Sequence, residues 1–146
     1  LRAMMPALME ETLVLLKPDC LDGRNCGEVF KRFEEAGFIV FGVKMMRLSD
    51  DILREHYAHL ADKPFFPEIQ EFMQSSPVIA LAMRGDNAIT RVRDMVGPTD
   101  STIAEKGTIR GDLGQDKMRN VVHASDSVEN GQSELKRFFL ENELHS

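Results

Sequence analysis

Four short runs of apolar and β-branched residues limit the folds that this chain can form. They lie at residues 12–16, 38–46, 77–83 and 120–122. Runs of this length that are rich in Val, Ile, Leu and Phe, and that end at Pro or Gly signals, are typical of β-strands. Pro18 closes the first run, because a proline cannot donate a ladder hydrogen bond. We therefore predict four strands.

Segments with helical periodicity separate these strands. Val29, Phe33 and Ala36 recur three and four residues apart and are followed by Gly37, as at the end of an amphipathic helix. Ser49 and the two aspartates after it are typical of a helix start. Further helices are predicted at 49–60, 68–74 and 87–96, with a last one capped by Asp126 or Ser127, and a glycine-containing loop is predicted at 19–25.

The order of these elements defines the expected fold. Without its insertions the chain has the order βαββαβ, which is that of a ferredoxin-like antiparallel sheet covered by helices, in the α/β (α+β) class. The insertions are a helical hairpin before the third strand and a long glycine-containing loop at 99–119. A loop of that length in a compact domain is usually functional. With no repeat or change of composition, one domain over residues 1–146 is expected.

Composition narrows the possible partners. The net charge of −6 argues against nucleic acid as the main partner. No stretch approaches the roughly 18 apolar residues of a transmembrane helix, so no membrane partner is expected. Cys20 and Cys26 indicate neither a disulfide framework nor a zinc site, and we expect a cytoplasmic protein with reduced thiols. Residues 1–9 lack a signal-peptide cleavage site and are interpreted as a tag or an extended N-terminus.

His123 is the first candidate for chemistry. It lies between an apolar run and a helix start rich in Ser and Asp, where free N–H groups and the helix dipole favour a phosphate. A neutral imidazole can act as a nucleophile near pH 7. A histidine at a strand end is, however, more often simply solvated, so this position alone does not decide the function.

The nearby cations are equally ambiguous. Lys17, Arg93, Arg110 and either Lys117 or Arg119 lie at a strand end, in a helix or in the long loop. Binding groups concentrate at such ends and loops, yet each cation by itself is most simply a surface charge. No P-loop pattern is present. The residues by themselves therefore indicate an α/β domain with an anion site near the histidine, and no more.

Two other groups have alternative interpretations. His56 and His59 could share a helix face as metal ligands do, but with no third ligand at a suitable spacing they are interpreted as ordinary helix residues. Phe65 and Phe66 could stack on a base or fill the core. Aromatic residues at a helix start more often belong to the core.

Residues 120–127 resemble the active-site signature of the nucleoside diphosphate kinases, N-x-x-H-[GA]-S-D-[SA]. Other matches follow in family order over residues 11–144. They are Lys17-Pro18-Asp19, His56-Tyr57, Lys63-Pro64-Phe65-Phe66, Ser76-Pro77-Val78, Arg93, Gly97-Pro98-Thr99 and residues 107–112. The resemblance implies transfer of the γ-phosphoryl group of a nucleoside triphosphate, typically ATP, to a nucleoside diphosphate. It also implies a ping-pong mechanism through a phosphohistidine at His123, in the service of nucleotide-pool balance.

The same resemblance implies a role for each matching residue. His123 would accept the phosphoryl group, Glu134 and Ser125 would orient it, and Lys17 and Tyr57 complete the catalytic set. The implied nucleotide-binding residues are Lys17, Tyr57, Arg93, Thr99 and Arg110 around the phosphates, Lys17 and Asn120 at the sugar, and Phe65 with Ile69 at the base. Mg²⁺ would be held by the nucleotide's phosphates and water, with Asp126 nearby, rather than by a protein cage.

Some positions depart from the family pattern, namely Cys20, Lys63, Ser101 and Ala124. Ser101 replaces a proline that is frequent in the loop that packs trimers in hexameric members. The resemblance therefore implies a homo-oligomer built from dimers, with tetramer and hexamer both open. Two other functions are also considered. One is an oligomeric interaction protein, whose usual sign is the loss of a catalytic residue, and no matched residue is lost here. The other is a nucleic-acid binder, against which the net negative charge argues.

Overall fold

The computed structural model describes residues 9–145. Within them, β1 (Met9–Leu16), β2 (Ile39–Met46), β3 (Val78–Asp86) and β4 (Val122–Ala124) form one antiparallel sheet in the order β2-β3-β1-β4. Because β3 lies between β1 and β2, this is the split βαβ arrangement, and the predicted ferredoxin-like fold is confirmed. The predicted tag or extended N-terminus lies, except for Met9, outside the described residues.

Helices cover both faces of the sheet. In residues 9–145 they are α1 (Pro18–Asp22), α2 (Cys26–Glu35), α3 (Asp50–His56), α4 (Phe66–Met73), α5 (Ala88–Val96), α6 (Ile109–Leu113) and α7 (Val128–Phe138). Short 3₁₀ turns lie at Ser101–Ile103 and Glu141–Glu143. None of the helices in this part of the chain combines the length and the apolar character that crossing a bilayer requires.

The central strand β1 belongs to two cores at once. Its alternate side chains Leu13 and Leu15 pack among α3, α4 and α7, whereas Val14 and Leu16 pack among α2 and α5. All four are at most 1% exposed. Full burial of such a side chain stabilises a fold by about 1.5–3 kcal/mol, so β1 is firmly fixed. The residues that follow β1, beginning with Lys17, therefore start from a rigid point.

Two predicted boundaries were wrong. The predicted loop at 19–25 begins instead with α1, because Pro18 at the first helical position presets φ and Asp19 complements the helix dipole. A helix of this length has no periodicity to detect. The helix predicted to reach residue 60 ends at His56, since the backbone of Tyr57 leaves the helical region (φ −107°, ψ 34°).

The last strand and the long loop also differ from the prediction. The strand predicted at 120–122 is instead β4, which contains His123, because the backbone at Val121 turns with φ 65° and takes the preceding residues out of the ladder. The loop at 99–119 contains α6, which is capped by the side chain of Thr108 accepting from the N–H of Gly111. Ser127, one of two predicted caps, is the N-cap of α7.

Candidate active site

A cleft of about 1090 Å³ lies between the helical hairpin, the long loop, β4 and α7. Its lining contains every residue for which the family resemblance implied a role except Ser125, which is fully buried behind it. A concave, largely preformed cleft with convergent polar groups is the usual form of a nucleotide-sized site. The lining residues with implied roles are Lys17, Tyr57, Phe65, Ile69, Arg93, Thr99, Arg110, Asn120, His123, Asp126 and Glu134.

His123 is held by the sheet on one side and by α7 on the other. It lies opposite Leu15 in the β1–β4 pairing, and its side chain is 24% exposed. Its Nε2 atom is 2.9 Å from Oε1 of Glu134. Among the described residues no group bonds its other ring nitrogen, Nδ1. The geometry thus commits one nitrogen to a carboxylate and leaves the other available.

Glu134 is itself fixed by Ser125. The Ser125 hydroxyl donates to Oε1 of Glu134 at 2.8 Å and accepts from the backbone N–H of Leu13 at 3.0 Å. Burial by itself would raise the pKa of Glu134, but the hydrogen bond and charge of His123, with the bond from Ser125, outweigh it and the pKa is lowered. Glu134 is therefore an anion. Ser125 contacts His123 only through this carboxylate.

His56, which the sequence predicts to be an ordinary helix residue, lies beside His123. The two rings are 4.5 Å apart, edge to face, and Nδ1 of His56 accepts from Nη1 of Arg137 at 2.9 Å. Burial, with a smaller contribution from His123, lowers the pKa of His56 to about 3, so its ring is neutral. His59 is exposed at the rim of the cleft. The only sequence signal for His56 was its place beside Tyr57 in the matching motif.

His56, His123 and Glu134 satisfy the spacing of a metal site, with ligand atoms within 4.8 Å of one another. The chemistry is less suitable. Arg137 can only donate, so Nδ1 of His56 is unprotonated and Nε2 carries the ring proton. A metal would have to displace either Arg137 or that proton. This donor set therefore does not fit a metal without such a displacement.

Lys17 and Asn120 form one buried network. Nζ of Lys17 donates to the carbonyl of Met118 at 2.6 Å and to Oδ1 of Asn120 at 2.7 Å. The Asn120 amide donates in turn to the carbonyls of Thr99 and Lys117, both at 3.0 Å. Burial lowers the pKa of Lys17 to about 8, so its charge is retained at neutral pH. The network holds an ammonium group at the wall of the cleft.

Two guanidinium groups, those of Arg93 and Arg110, also line the cleft. Arg110 donates to the carbonyls of Gly97, Asn120 and Val122 at 3.0, 3.2 and 2.7 Å, and Arg93 donates to that of Ala124 at 3.4 Å. Burial, followed by repulsion from Arg93, lowers the pKa of Arg110 to about 10, which leaves it charged. In residues 9–145 neither group forms a salt bridge. Their positive charge therefore remains available for an anion.

The far wall of the cleft is apolar. Phe65 is 48% exposed there, near Ile69, whereas Phe66 is 2% exposed and belongs to the core, so the two neighbouring aromatics have different environments. Tyr57 lies between the apolar wall and the charged groups. Burial, with a contribution from Glu134, raises the pKa of its hydroxyl to about 12, so Tyr57 can donate a hydrogen bond throughout the neutral range.

Of the positions that depart from the family pattern, Ala124 lines the cleft beside His123, whereas Cys20, Lys63 and Ser101 are not among its lining residues. Cys20, Ser101 and Ala124 are buried, and Lys63 is exposed and outside the lining of the cleft. Ala124 has no positive φ, so its Cβ is accommodated in β4 without strain.

Known proteins match this chain over nearly its whole length. A family model described as nucleoside diphosphate kinase matches residues 10–144. The mitochondrial nucleoside diphosphate kinase of Columba livia is 46% identical over 139 residues, which is 95% of this chain and 77% of that protein. The nucleoside diphosphate kinase of Parabacteroides distasonis is 48% identical over 136 residues, 93% of this chain and 89% of that protein.

Solved structures give the same result. The Aquifex aeolicus nucleoside diphosphate kinase superposes with a TM-score of 0.88 at 40% identity, covering 93% of this chain and 99% of that one. The halophilic nucleoside diphosphate kinase of Halobacterium salinarum, in complex with CDP, superposes with a TM-score of 0.90 at 38% identity, covering 94% and 91%. With its fold and nearly its whole length in agreement, the chain belongs to the nucleoside diphosphate kinase family and is a phosphotransferase that acts on nucleotides.

Proposed function

We propose that this chain transfers the γ-phosphoryl group between nucleotides through a phosphohistidine formed on Nδ1 of His123. The observation that carries the proposal is the 2.9 Å hydrogen bond between Nε2 of His123 and Glu134. A carboxylate at one ring nitrogen selects the tautomer with its proton on that nitrogen and makes the other a better nucleophile. The Nδ1 lone pair is therefore the reacting group.

The chemical steps follow from this tautomer. Nδ1 forms a bond to the γ-phosphorus while the bond from phosphorus to the bridging oxygen breaks, and the nucleoside diphosphate leaves. The imidazole then bears a positive charge, which the Glu134 carboxylate stabilises. In the second half-reaction a terminal oxygen of an acceptor diphosphate attacks the phosphorus, and the neutral ring returns. This order of steps is a ping-pong mechanism.

The cations supply most of the remaining catalysis. Phosphoryl transfer depends chiefly on positioning and charge neutralisation, and Lys17, Arg93 and Arg110, which all line the cleft, would supply the positive charge. Tyr57 and Thr99 would bond the same phosphates. We assign Lys17 and its partner Asn120 to the sugar hydroxyls as well. Because these cations are held by backbone carbonyls, little reorganisation is needed when the nucleotide binds.

The base would lie against Phe65 and Ile69. Phe65 presents an exposed ring at the cleft, which suits stacking, and Ile69 offers an apolar side chain beside it. Stacking does not depend on which base is bound, since every base has a π-face. The proposed site therefore accepts nucleotides of any base.

Mg²⁺ is proposed as the cofactor, bound with the nucleotide. Asp126 is an exposed carboxylate at the cleft, and its hydrogen bond from Asn130 lowers its pKa, so it is anionic. One carboxylate suits a cation that keeps most of its ligands as water and phosphate oxygens. Mg²⁺ would supply further neutralisation of the phosphate charge.

A labelling experiment tests the phosphohistidine. The pure protein is incubated with γ-labelled ATP and Mg²⁺ without an acceptor, and then denatured in alkali and in acid. We expect label that survives alkali, is lost in acid and is discharged by GDP. A folded protein that takes up no label contradicts the proposal. It would favour the oligomeric interaction protein considered above.

A homo-oligomer built from dimers is also proposed, with the edge strand β2 as the pairing surface between two copies. Ile39, Val43 and Met45 of this strand are 50%, 54% and 64% exposed, and among residues 9–145 β2 has a strand neighbour on one side only. Unpaired edges with apolar side chains are sites of chain association. Light scattering should give a multimer for the wild type and a smaller species for Val43→Glu. A monomeric wild type contradicts this assignment.

A further inference from the structure

Val121 has an unusual backbone conformation directly before β4. Its φ of 65° lies in the left-handed region, which β-branched residues rarely adopt. The carbonyl of Asn120 accepts from the N–H of Val122 at 2.8 Å, so the chain reverses within three residues. Val121 is 1% exposed and packs in the core of α2 and α5. The surrounding structure must therefore hold this turn in place.

The residues after β1 provide that restraint. The N–H of Val121 donates to Oδ2 of Asp19 at 3.0 Å, and its carbonyl accepts from the N–H of Lys17 at 2.8 Å. Both backbone polar groups of Val121 are thus bound by one short segment. The other carboxylate oxygen of Asp19 is buried and has no hydrogen-bond partner among residues 9–145. The side chain of Asp19 is consequently committed to the turn.

The turn sets the direction of several groups of the cleft. Asn120, before it, accepts from Lys17 Nζ through its side chain and from Arg110 Nε through its carbonyl. Val122, after it, accepts from Nη2 of Arg110 and leads directly to His123. If φ at Val121 returned to negative values, Asn120 and the groups bonded to it would change their orientation relative to Val122 and His123.

We propose that Asp19 is a positioning residue for phosphoryl transfer, acting by holding the left-handed turn at Val121 and thereby the relative placement of Lys17, Arg110 and His123. Asp19 does not line the cleft, so it acts without touching the nucleotide. The inference rests on the role proposed above for His123.

The test measures the single-turnover rate at which ATP phosphorylates the enzyme. Asp19→Ala should slow this step by about 30-fold, by analogy with the 10- to 100-fold losses found when residues that orient metal ligands are replaced. Asp19→Asn retains an oxygen that accepts from the N–H of Val121 and should stay within about threefold of the wild type. Asp22→Ala, an exposed position on the same helix, is the matched control and should have no effect.

A rescue experiment separates positioning from a general structural effect. Glycine adopts positive φ without strain, so in a Val121→Gly background the loss caused by Asp19→Ala should shrink to about threefold or less. Circular dichroism at the assay temperature establishes that each variant is folded. If Asp19→Ala does not fold, Asp19→Ser replaces it, because its hydroxyl is too short to reach Val121.

Three results would overturn the inference. The first is an unchanged phosphorylation rate in Asp19→Ala. The second is a loss of rate in Asp19→Asn equal to that in Asp19→Ala, which would indicate that the charge of Asp19 matters rather than its hydrogen bond. The third is a loss caused by Asp19→Ala that is as large in the Val121→Gly background as in the wild type. Labelling of the wild type is measured in the same assay. An unlabelled wild type contradicts the phosphohistidine proposal, whereas a labelled wild type with any of these three results contradicts the role of Asp19 alone.

Discussion

The carboxylate of Glu134 lies 2.9 Å from Nε2 of His123, so one nitrogen of the ring is occupied before any nucleotide enters the cleft. The buried hydroxyl of Ser125 fixes this carboxylate from behind at 2.8 Å. The tautomer of His123 is therefore set by a chain of contacts that ends in β1.

Replacement of His123 by alanine should abolish phosphoryl transfer and leave the fold and nucleotide binding in place. The imidazole is partly exposed at the cleft, so its removal leaves a small, solvent-accessible space. Coupled-enzyme kinetics and ATP titration measure the two effects. His145→Ala, an exposed histidine outside the cleft, serves as the control. Substantial activity in a clean preparation of His123→Ala would falsify the role of this residue.

Glu134→Gln should lower kcat by about 10- to 100-fold, by analogy with the loss found when the hydrogen-bond partner of a metal-bound histidine is removed. The amide keeps the shape of the carboxylate but cannot stabilise the positive ring. Most of the loss should appear in kcat rather than in KM, because Glu134 bonds the histidine and not the nucleotide. Glu129→Gln, an exposed glutamate at the start of α7, should have no effect. Equal losses in the two variants would contradict the assignment.

The activity should fall in alkali as Lys17 loses its proton. Burial lowers the pKa of this ammonium from 10.5 to about 8, so kcat/KM should decline as the pH rises through about 8. Arg110, with a pKa of about 10, and Tyr57, with a pKa of about 12, keep their protons over this range. A pH profile that stays flat up to pH of about 10 would show that Lys17 is not required in its charged form.

The lowered pKa of Lys17 makes stability rise with pH over a range in which the activity is expected to fall. Between pH 8 and 10.5 the unfolded chain holds the Lys17 proton more tightly than the folded chain, so the Lys17 contribution to the free energy of unfolding rises with pH. Other groups titrate in this range, and Lys17→Met removes this one alone. We expect the difference in stability between the wild type and Lys17→Met to move in favour of the wild type as the pH rises. A constant difference in urea denaturation would contradict the depressed pKa.

Phe65 and Phe66 should respond differently to replacement by alanine. Phe65 is exposed at the cleft, and loss of stacking worth about 1–3 kcal/mol per base should weaken binding of ATP and GTP by similar factors with little change in stability. Phe66 is 2% exposed, and Phe66→Ala should reduce the free energy of unfolding by about 3–5 kcal/mol. Isothermal titration and denaturant unfolding measure the two quantities. An effect of Phe65→Ala on one base only would contradict stacking.

Much of the fold could be predicted because it depends on local patterns. The apolar runs around Leu15 and Leu81 are short and rich in apolar residues that favour strands. The glycines that follow α2 and α5 have positive φ values, 92° and 90°, as is common where a helix ends. Gly37 and Gly97 thus marked two boundaries correctly. The order of strands and helices along the chain is compatible with few sheet topologies, and the split βαβ arrangement is one of them.

The sequence by itself determined the family and the fold class, and the family resemblance named many of the residues that line the cleft. It did not determine which groups touch. Glu134 and Glu129 are equivalent in pattern, and only burial against Ser125 distinguishes them. The contact between Asp19 and Val121 joins residues 102 positions apart, and no local propensity predicts it. Such contacts form only when the two cores pack on β1, because burial then forces each polar group to find its partner across the chain.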